Sequence, residues 1–207
     1  METIILIHGL WMHGIVMLPQ QRWLARRGFA VRRFSYPSMR RGLLQNARAL
    51  SQFVASTGNG NIHLVGHSLG GLVALSMLAQ YPDPRVRRVV LMGSPFMGSH
   101  CASVLLRTPT LAAIVGRSLE EWLALPRPPL PGQVEIGVLS GSRSLGLGRL
   151  IPGLPRPNDG VVSVMETRLP EARDSITLHV SHAEMLVSRA CADQVAAFLN
   201  NGSFNHE

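Results

Sequence analysis

Gly66-His67-Ser68-Leu69-Gly70 has the residue types and spacing to present a nucleophile. An apolar run, Ile62 to Val65, leads into it. Leu72, Leu75, Met77 and Leu78 follow at near-helical spacing until Tyr81-Pro82-Asp83-Pro84 stops the pattern. A strand that turns into a helix through a single serine strains that serine's backbone and lifts its hydroxyl above the sheet. Glycine is required two residues to either side, because a Cβ there would strike the neighbouring strand or helix. The first turn of the following helix offers free N–H groups and a partial positive charge beneath the hydroxyl. In a chain with 20 glycines the five-residue pattern alone is weak, and its meaning comes from the strand and helix around it.

A serine hydroxyl needs a base within hydrogen-bond reach, and the base needs a third group to orient it. On an elbow of this kind the chain order is serine, acid, histidine. Of the later histidines, His100 precedes any suitable acid, His206 lies in the C-terminal tail, and His179 falls inside the last predicted strand. His182, just beyond that strand, is the base. Ser181-His182-Ala183-Glu184 also matches a capping box, which would set His182 at a helix N-terminus and disfavour its protonation. There are four aspartates. Asp83 is read as capping the elbow helix, Asp174 begins the last strand at its far end, and Asp193 lies within the last helix. Asp159, in a loop after the carboxyl end of a strand, is the acid, with Glu135 and Glu166 as weaker rivals. The oxyanion of a tetrahedral intermediate needs N–H donors. The amide of Leu69 supplies one, and that of Leu10, in the loop after the first strand, the other.

These residues must be held at one edge of a sheet, and the rest of the chain supplies the elements. Thr3 to Ile7 reads as a buried parallel strand ending in His8-Gly9-Leu10-Trp11. Residues 15 to 27 read as a helix, Phe29 to Tyr36 as a strand, and Gly42 to Ser56 as a helix. After the elbow come a strand from Val86 to Met92, a helical apolar stretch over 100 to 125, and the stiff Pro126-Arg127-Pro128-Pro129-Leu130-Pro131. Val134 to Leu139 and Ser175 to Val180 read as the last strands, separated by a long glycine- and proline-punctuated loop. Glu184 to Leu199 reads as a final helix with Val187, Cys191, Val195 and Phe198 on one stripe, closed by Asn200-Asn201-Gly202. This alternation predicts an α/β fold, a mainly parallel sheet of about six strands with helices on both faces.

Composition bounds what such a fold is for. At 207 residues, 46% hydrophobic and 15% charged, one domain over 1–207 is expected. No apolar stretch approaches 20 residues, and the first strand begins too early for a signal peptide, so a cytoplasmic protein is expected. Cys101 and Cys191 read as reduced, buried residues rather than a disulfide. The net charge of +8 rests on 20 arginines without a lysine. Arg22, Arg26, Arg27, Arg32, Arg33, Arg40 and Arg41 gather near the N-terminus, which leaves peripheral contact with an anionic lipid surface open. No aromatic-interleaved basic motif accompanies them, and nucleic acid is not expected as a partner.

With His8-Gly9-Leu10, Gly66-His67-Ser68-Leu69-Gly70-Gly71, Gly93-Ser94-Pro95, Asn158-Asp159-Gly160-Val161-Val162 and Ser181-His182 together, the chain resembles the α/β-hydrolases, in their bacterial lipase and PGAP1-like esterase branch. The resemblance covers nearly the whole chain and implies a minimal α/β-hydrolase fold, with residues 100–131 as a short helical lid. Asn158-Asp159-Gly160 is similar to the segment that carries the catalytic aspartate in those lipases. Phe96 stands where many relatives have histidine. Trp11, His67 and Phe96, within or beside these motifs, are the candidates for the substrate pocket. No calcium site accompanies Asp159, so no metal and no cofactor are expected. The implied activity is a serine esterase acting on a small-molecule ester with an apolar acyl group. An acyltransferase, thioesterase or amidase using the same triad, and a non-catalytic binding protein on the same scaffold, remain open.

Overall fold

The computed structural model describes residues 2–206. Six strands form one sheet: β1 (Thr3–Ile7), β2 (Ala30–Phe34), β3 (Ile62–His67), β4 (Val86–Met92), β5 (Glu135–Gly141) and β6 (Asp174–Leu178). Their order across the sheet is β2-β1-β3-β4-β5-β6, and every adjacent pair is parallel. The predicted sheet is therefore present, with β1 and β4 at their predicted bounds and the other strand ends shifted by at most two residues. Parallel strands need crossovers, and helices cover both faces. Those with labels here are α1 (Leu18–Ala25), α2 (Leu43–Ala55), α3 (Leu69–Gln80), α4 (His100–Leu106), α5 (Pro109–Ala112), α6 (Arg117–Ala124), α7 (Val164–Thr167) and α8 (Arg189–Asn201).

Alternation along β1 divides the interior into two cores. Ile4 and Leu6 join Val65, Val90 and Leu139 on the face covered by α1 and α8, where Leu24, Cys191, Val195 and Phe198 pack. Ile5 and Ile7 join Leu64, Leu91 and Val138 on the opposite face, against Leu50 of α2 and Leu72, Val73 and Leu75 of α3. α3 is buried on every side from Leu69 to Leu78, so its sequence is apolar all round. Central β3 is buried at each of its residues, whereas edge β6 alternates between exposed and half-buried positions. Cys101 and Cys191 are both free thiols and buried, as the sequence suggests.

Three predicted helices are broken by local chemistry. The first is a 3₁₀ turn over Gly14–Met17 followed by α1, whose first turn carries Pro19. The last divides because Ser188 accepts a hydrogen bond from the Cys191 amide at 3.2 Å and so caps α8. Glu184–Leu186 is only a 3₁₀ turn, and Val187 leaves the predicted stripe and stands exposed. Gly202 closes α8 in the left-handed conformation at φ +76°. The stretch from 100 to 125 becomes α4, α5 and α6, interrupted at Pro109 and at Gly116, whose φ is +74°.

α6 belongs to the core. Val115, Leu119 and Trp122 are buried in the same cluster as α2 and α3. The Trp122 Nε1–H donates to the Phe96 carbonyl at 3.2 Å, and Arg127 lies over its ring at 4.8 Å. Glu121 accepts from the Leu43 amide at 2.6 Å, so a side chain of α6 satisfies the start of α2, where Gly42 has no cap to offer. Asn46 donates to Ser118 at 2.9 Å in a buried pair. Trp122→Ala should therefore cost about 3–5 kcal/mol. Leu111→Ala, on exposed α5, should stay within about 0.5 kcal/mol of the parent. Urea denaturation midpoints of the two variants check both values.

Candidate active site

Ser68 sits between β3 and α3 at φ 54°, ψ −123°. It and Trp11, at φ 59°, are the two non-glycine residues with positive φ among the described residues. Such geometry persists only where the surroundings enforce it. A Cβ on Gly66 would lie 2.7 Å from the Gly70 carbonyl carbon, and one on Gly70 would lie 2.6 Å from the His8 carbonyl oxygen. The two glycines thus keep α3 against β3 on one side and β1 on the other. The Ser68 amide donates to Met92 at 2.9 Å, which ties the elbow to the end of β4.

Asp159 and His182 are 23 residues apart and meet across the ends of β5 and β6. His182 Nδ1 donates to Asp159 Oδ2 at 2.6 Å. Asp159 Oδ1 accepts from the amides of Val161 at 2.9 Å and Val162 at 2.7 Å. The His182 amide donates to the Asp159 carbonyl at 2.8 Å. A carboxylate held by three donors and 1% exposed has one orientation, and it fixes the ring and tautomer of its histidine. Ser68 makes no hydrogen bond to His182 in this structure; such bonds often close only around a bound substrate.

The other acids serve elsewhere. Asp83 lies beyond the end of α3 and, contrary to its reading as a cap, binds the Arg85 guanidinium at 2.6 Å. Asp174 accepts from the Phe204 amide at 2.6 Å, and Asp193 pairs with Arg27. Glu135 pairs with Arg88 at 2.6 Å at the amino end of β5. Glu166, on α7, accepts from Ser163 and from the His100 amide, joining the Asp159 loop to the first turn of α4.

The two amides expected as oxyanion donors, those of Leu10 and Leu69, donate to no protein acceptor among the described residues. A Cβ on Gly9 would lie 3.1 Å from the Ser68 Cβ, so the loop after β1 runs directly past Ser68. That loop is clamped reciprocally. The Tyr36 hydroxyl donates to the His8 carbonyl at 2.9 Å, and His8 Nε2 accepts from the Tyr36 amide at 3.2 Å. Burial holds His8 below its ordinary pKa, so the neutral ring that this pattern needs is the stable one.

The three pocket candidates fare differently. Trp11 is 54% exposed at the rim, with its Nε1–H donating to the Ile114 carbonyl at 2.8 Å. The oxyanion loop is thereby tied to the segment between α5 and α6. Phe96 is buried against Trp122, with ring centroids 5.7 Å apart, and lies in the core rather than on a pocket wall. His67 has no exposed surface and cannot line a pocket either. Its ring lies 4.6 Å from that of His182, and its Nε2–H donates to the His182 carbonyl at 2.9 Å. The predicted capping box at Ser181 is half formed. Glu184 accepts from the Ser181 amide at 2.7 Å, but His182 precedes only a 3₁₀ turn, too short to build a helix field.

Gly93 was visible in the sequence as part of the Gly93-Ser94-Pro95 motif, without a role. Its φ is +59°, and a Cβ there would lie 3.1 Å from both Asp159 Oδ2 and His182 Nδ1. The acid–base pair rests on that bare backbone. Its positive φ and its place beneath two distant loops leave no trace in local periodicity. Among the described residues, no group of three or more His, Cys, Asp or Glu side chains is gathered to hold a metal ion. No helix of these residues is long and apolar enough to cross a membrane.

Comparison with known proteins agrees with this architecture. Residues 4–199 match the model of the Alpha/beta hydrolase family, and the chain belongs to that family. It is similar to the 2-hydroxy-6-oxo-6-phenylhexa-2,4-dienoate hydrolase of Comamonas testosteroni, 43% identical over 63 residues, covering 30% of this chain and 21% of the relative. The match to the 2-hydroxy-6-oxononadienedioate/2-hydroxy-6-oxononatrienedioate hydrolase of Burkholderia vietnamiensis is 38% identical over 77 residues, covering 32% and 26%. The aligned stretches thus span only a fifth to a quarter of these relatives. Among solved structures, the mature lipase BlEst2 of Bacillus licheniformis superposes with a TM-score of 0.75 at 19% identity, covering 96% of this chain and 90% of that one. The metagenomic carboxyl esterase MGS0156 superposes with a TM-score of 0.69 at 21% identity, covering 87% and 64%. At these identities the likeness concerns the fold.

Burial pushes the His67 pKa from its ordinary 6.5 down to about 3. The unfolded chain takes up a proton below pH 6.5 that the folded chain refuses, so this contribution to stability is complete above that pH. It is lost as pH falls from 6.5 toward 3, by about 1.4 kcal/mol per pH unit for this group. His8 and His63 are also held low by burial and act in the same direction. Stability curves from pH 7 to pH 4 should show this acid-side slope, and His67→Gln should flatten it by about one proton.

Proposed function

We propose that this member of the Alpha/beta hydrolase family is a serine esterase cleaving carboxylic esters with an apolar acyl part. The observation that carries the reading is the 2.6 Å Asp159–His182 bond, formed at the same sheet edge as strained Ser68. Ser68 Oγ attacks the ester carbonyl while His182 Nε2 takes its proton. Asp159 keeps the Nδ1 proton in place and stabilises the imidazolium that results. The amides of Leu10 and Leu69 receive the oxyanion. Collapse of the tetrahedral intermediate breaks the bond to the alkoxy group, which leaves with the proton from His182, and the acyl group stays on Ser68. Water then gives a proton to His182 as it attacks the acyl carbon. A second collapse releases the carboxylic acid and returns the proton to Ser68. His67 acts here as a positioning residue, holding the backbone of His182.

Support for an apolar acyl part comes from the apolar segment bound to the loop that carries Leu10. Trp11 of that loop donates to the Ile114 carbonyl, and Gly116 is packed so that a Cβ would lie 3.1 Å from Leu10 Cδ1. We read 100–131 as an insertion of the single domain, with α6 anchored in the core and the segment 107–115 as the cover.

A fluorophosphonate probe followed by intact-mass analysis tests the nucleophile directly. Wild type should gain one adduct and Ser68→Ala none. Turnover of p-nitrophenyl butyrate should fall roughly 10³-fold or more in Ser68→Ala, His182→Ala and Asp159→Asn. An unlabelled wild type, or turnover that survives Ser68→Ala, would sink the reading.

A further inference from the structure

The large apolar side chains that stand exposed are not spread evenly. Among the described residues, all but Leu44 on α2, Tyr81 and Leu125 lie in the loops and short turns that follow the carboxyl ends of the strands. This is the edge that carries Ser68 and His182. The most exposed are Leu147 at 68% and Leu150 at 82%, on one 3₁₀ turn. That turn is fixed by the Gly148 amide, which donates to the Gly160 carbonyl at 2.8 Å, next to Asp159. Apolar tips held on an anchored turn, with solvent on all sides, are not core residues that have slipped.

Charge on the same connections is one-sided. Arg40, Arg41, Arg107, Arg117, Arg149 and Arg156 are exposed and form no ion pair among the described residues. The acids there are engaged internally: Asp159 by His182, Glu121 by the start of α2, Glu166 by Ser163, and Glu184 by Arg143. Only Glu120 is left to oppose the arginines. Of the N-terminal arginine cluster of the sequence, Arg40 and Arg41 join this edge, whereas Arg27, Arg32 and Arg33 are bound to other parts of the chain.

We infer that this edge is a docking surface for an anionic lipid bilayer, entered by the apolar tips while the arginines meet the headgroups. Apolar residues interleaved with cations suit an interface that offers acyl chains and negative charge at adjacent depths. A second copy would bring the arginine rim against itself, and a nucleic acid would leave Leu147 and Leu150 unused. That the docked edge passes an ester to Ser68 rests on the esterase reading; the docking does not.

Flotation with vesicles tests this with the full-length Ser68→Ala protein, so that no lipid is cleaved. The protein should float with equimolar phosphatidylglycerol and phosphatidylcholine, and stay behind with phosphatidylcholine alone or in high salt. Arg149→Glu/Arg156→Glu should weaken the partitioning roughly tenfold or more, since each arginine at such a surface is worth about fivefold. Leu147→Ser/Leu150→Ser should weaken it as well, and thermal melting of both variants checks that they are folded. No flotation with anionic vesicles, equal flotation with neutral ones, or full binding by both folded variants would overturn the inference. So would a concentration-dependent dimer in size-exclusion chromatography that forms through these leucines and does not float. Wild-type turnover of soluble p-nitrophenyl butyrate keeps the two readings apart. Turnover without flotation removes only the docking surface, and flotation without turnover removes only the esterase.

Discussion

One backbone turn governs this structure. β3 must become α3 within a single residue, and the space for that turn exists only because Gly66 and Gly70 lack side chains. A Cβ at the first would enter α3, and a Cβ at the second would enter the end of β1. The consequence is Ser68 at φ 54°, a conformation worth a penalty in isolation and held here by the surrounding sheet. Because α3 is then enclosed by the sheet, α2 and α6, its all-apolar sequence is required by the same turn. Placement of Ser68 and core packing are thus one constraint.

The acid and base depend on the sheet in another way. β5 and β6 lie side by side in parallel, so the loops that follow them emerge at one edge. Asp159 and His182 meet there through a side-chain bond of 2.6 Å and a backbone bond of 2.8 Å. Bare backbone at Gly93 gives the pair its floor, and neutral His67 binds the carbonyl of His182 from below. The oxyanion loop has a comparable support in the His8–Tyr36 clamp. The backbone of His182 and the loop after β1 are thus each held by a buried histidine whose protonation burial disfavours.

Much of this was legible in the chain. Alternating apolar runs gave the strands and their parallel arrangement, because a buried parallel strand has no polar face to interrupt it. The elbow and the order of serine, acid and histidine followed from chemistry that tolerates few substitutes. Helix ends were less legible where a cap or a breaker competed with periodicity. Ser188 restarted a helix that the apolar stripe seemed to carry through Val187, and Gly116 broke the stretch that became α6.

By itself the sequence determined the strands, the elbow and which three residues to look for at the sheet edge. Those features rest on local rules: side-chain alternation, glycine sterics, and the pairing of a hydroxyl with a base and an acid. Only the tertiary structure decided that His67 lies under His182 and Phe96 in the core, that Gly93 floors the acid–base pair, and that α6 caps α2. It likewise split the N-terminal arginines, binding Arg27, Arg32 and Arg33 elsewhere in the chain and leaving Arg40 and Arg41 with other unpaired arginines at the site edge. These are contacts between segments tens of residues apart, and periodicity along the chain carries no information about which of them will touch.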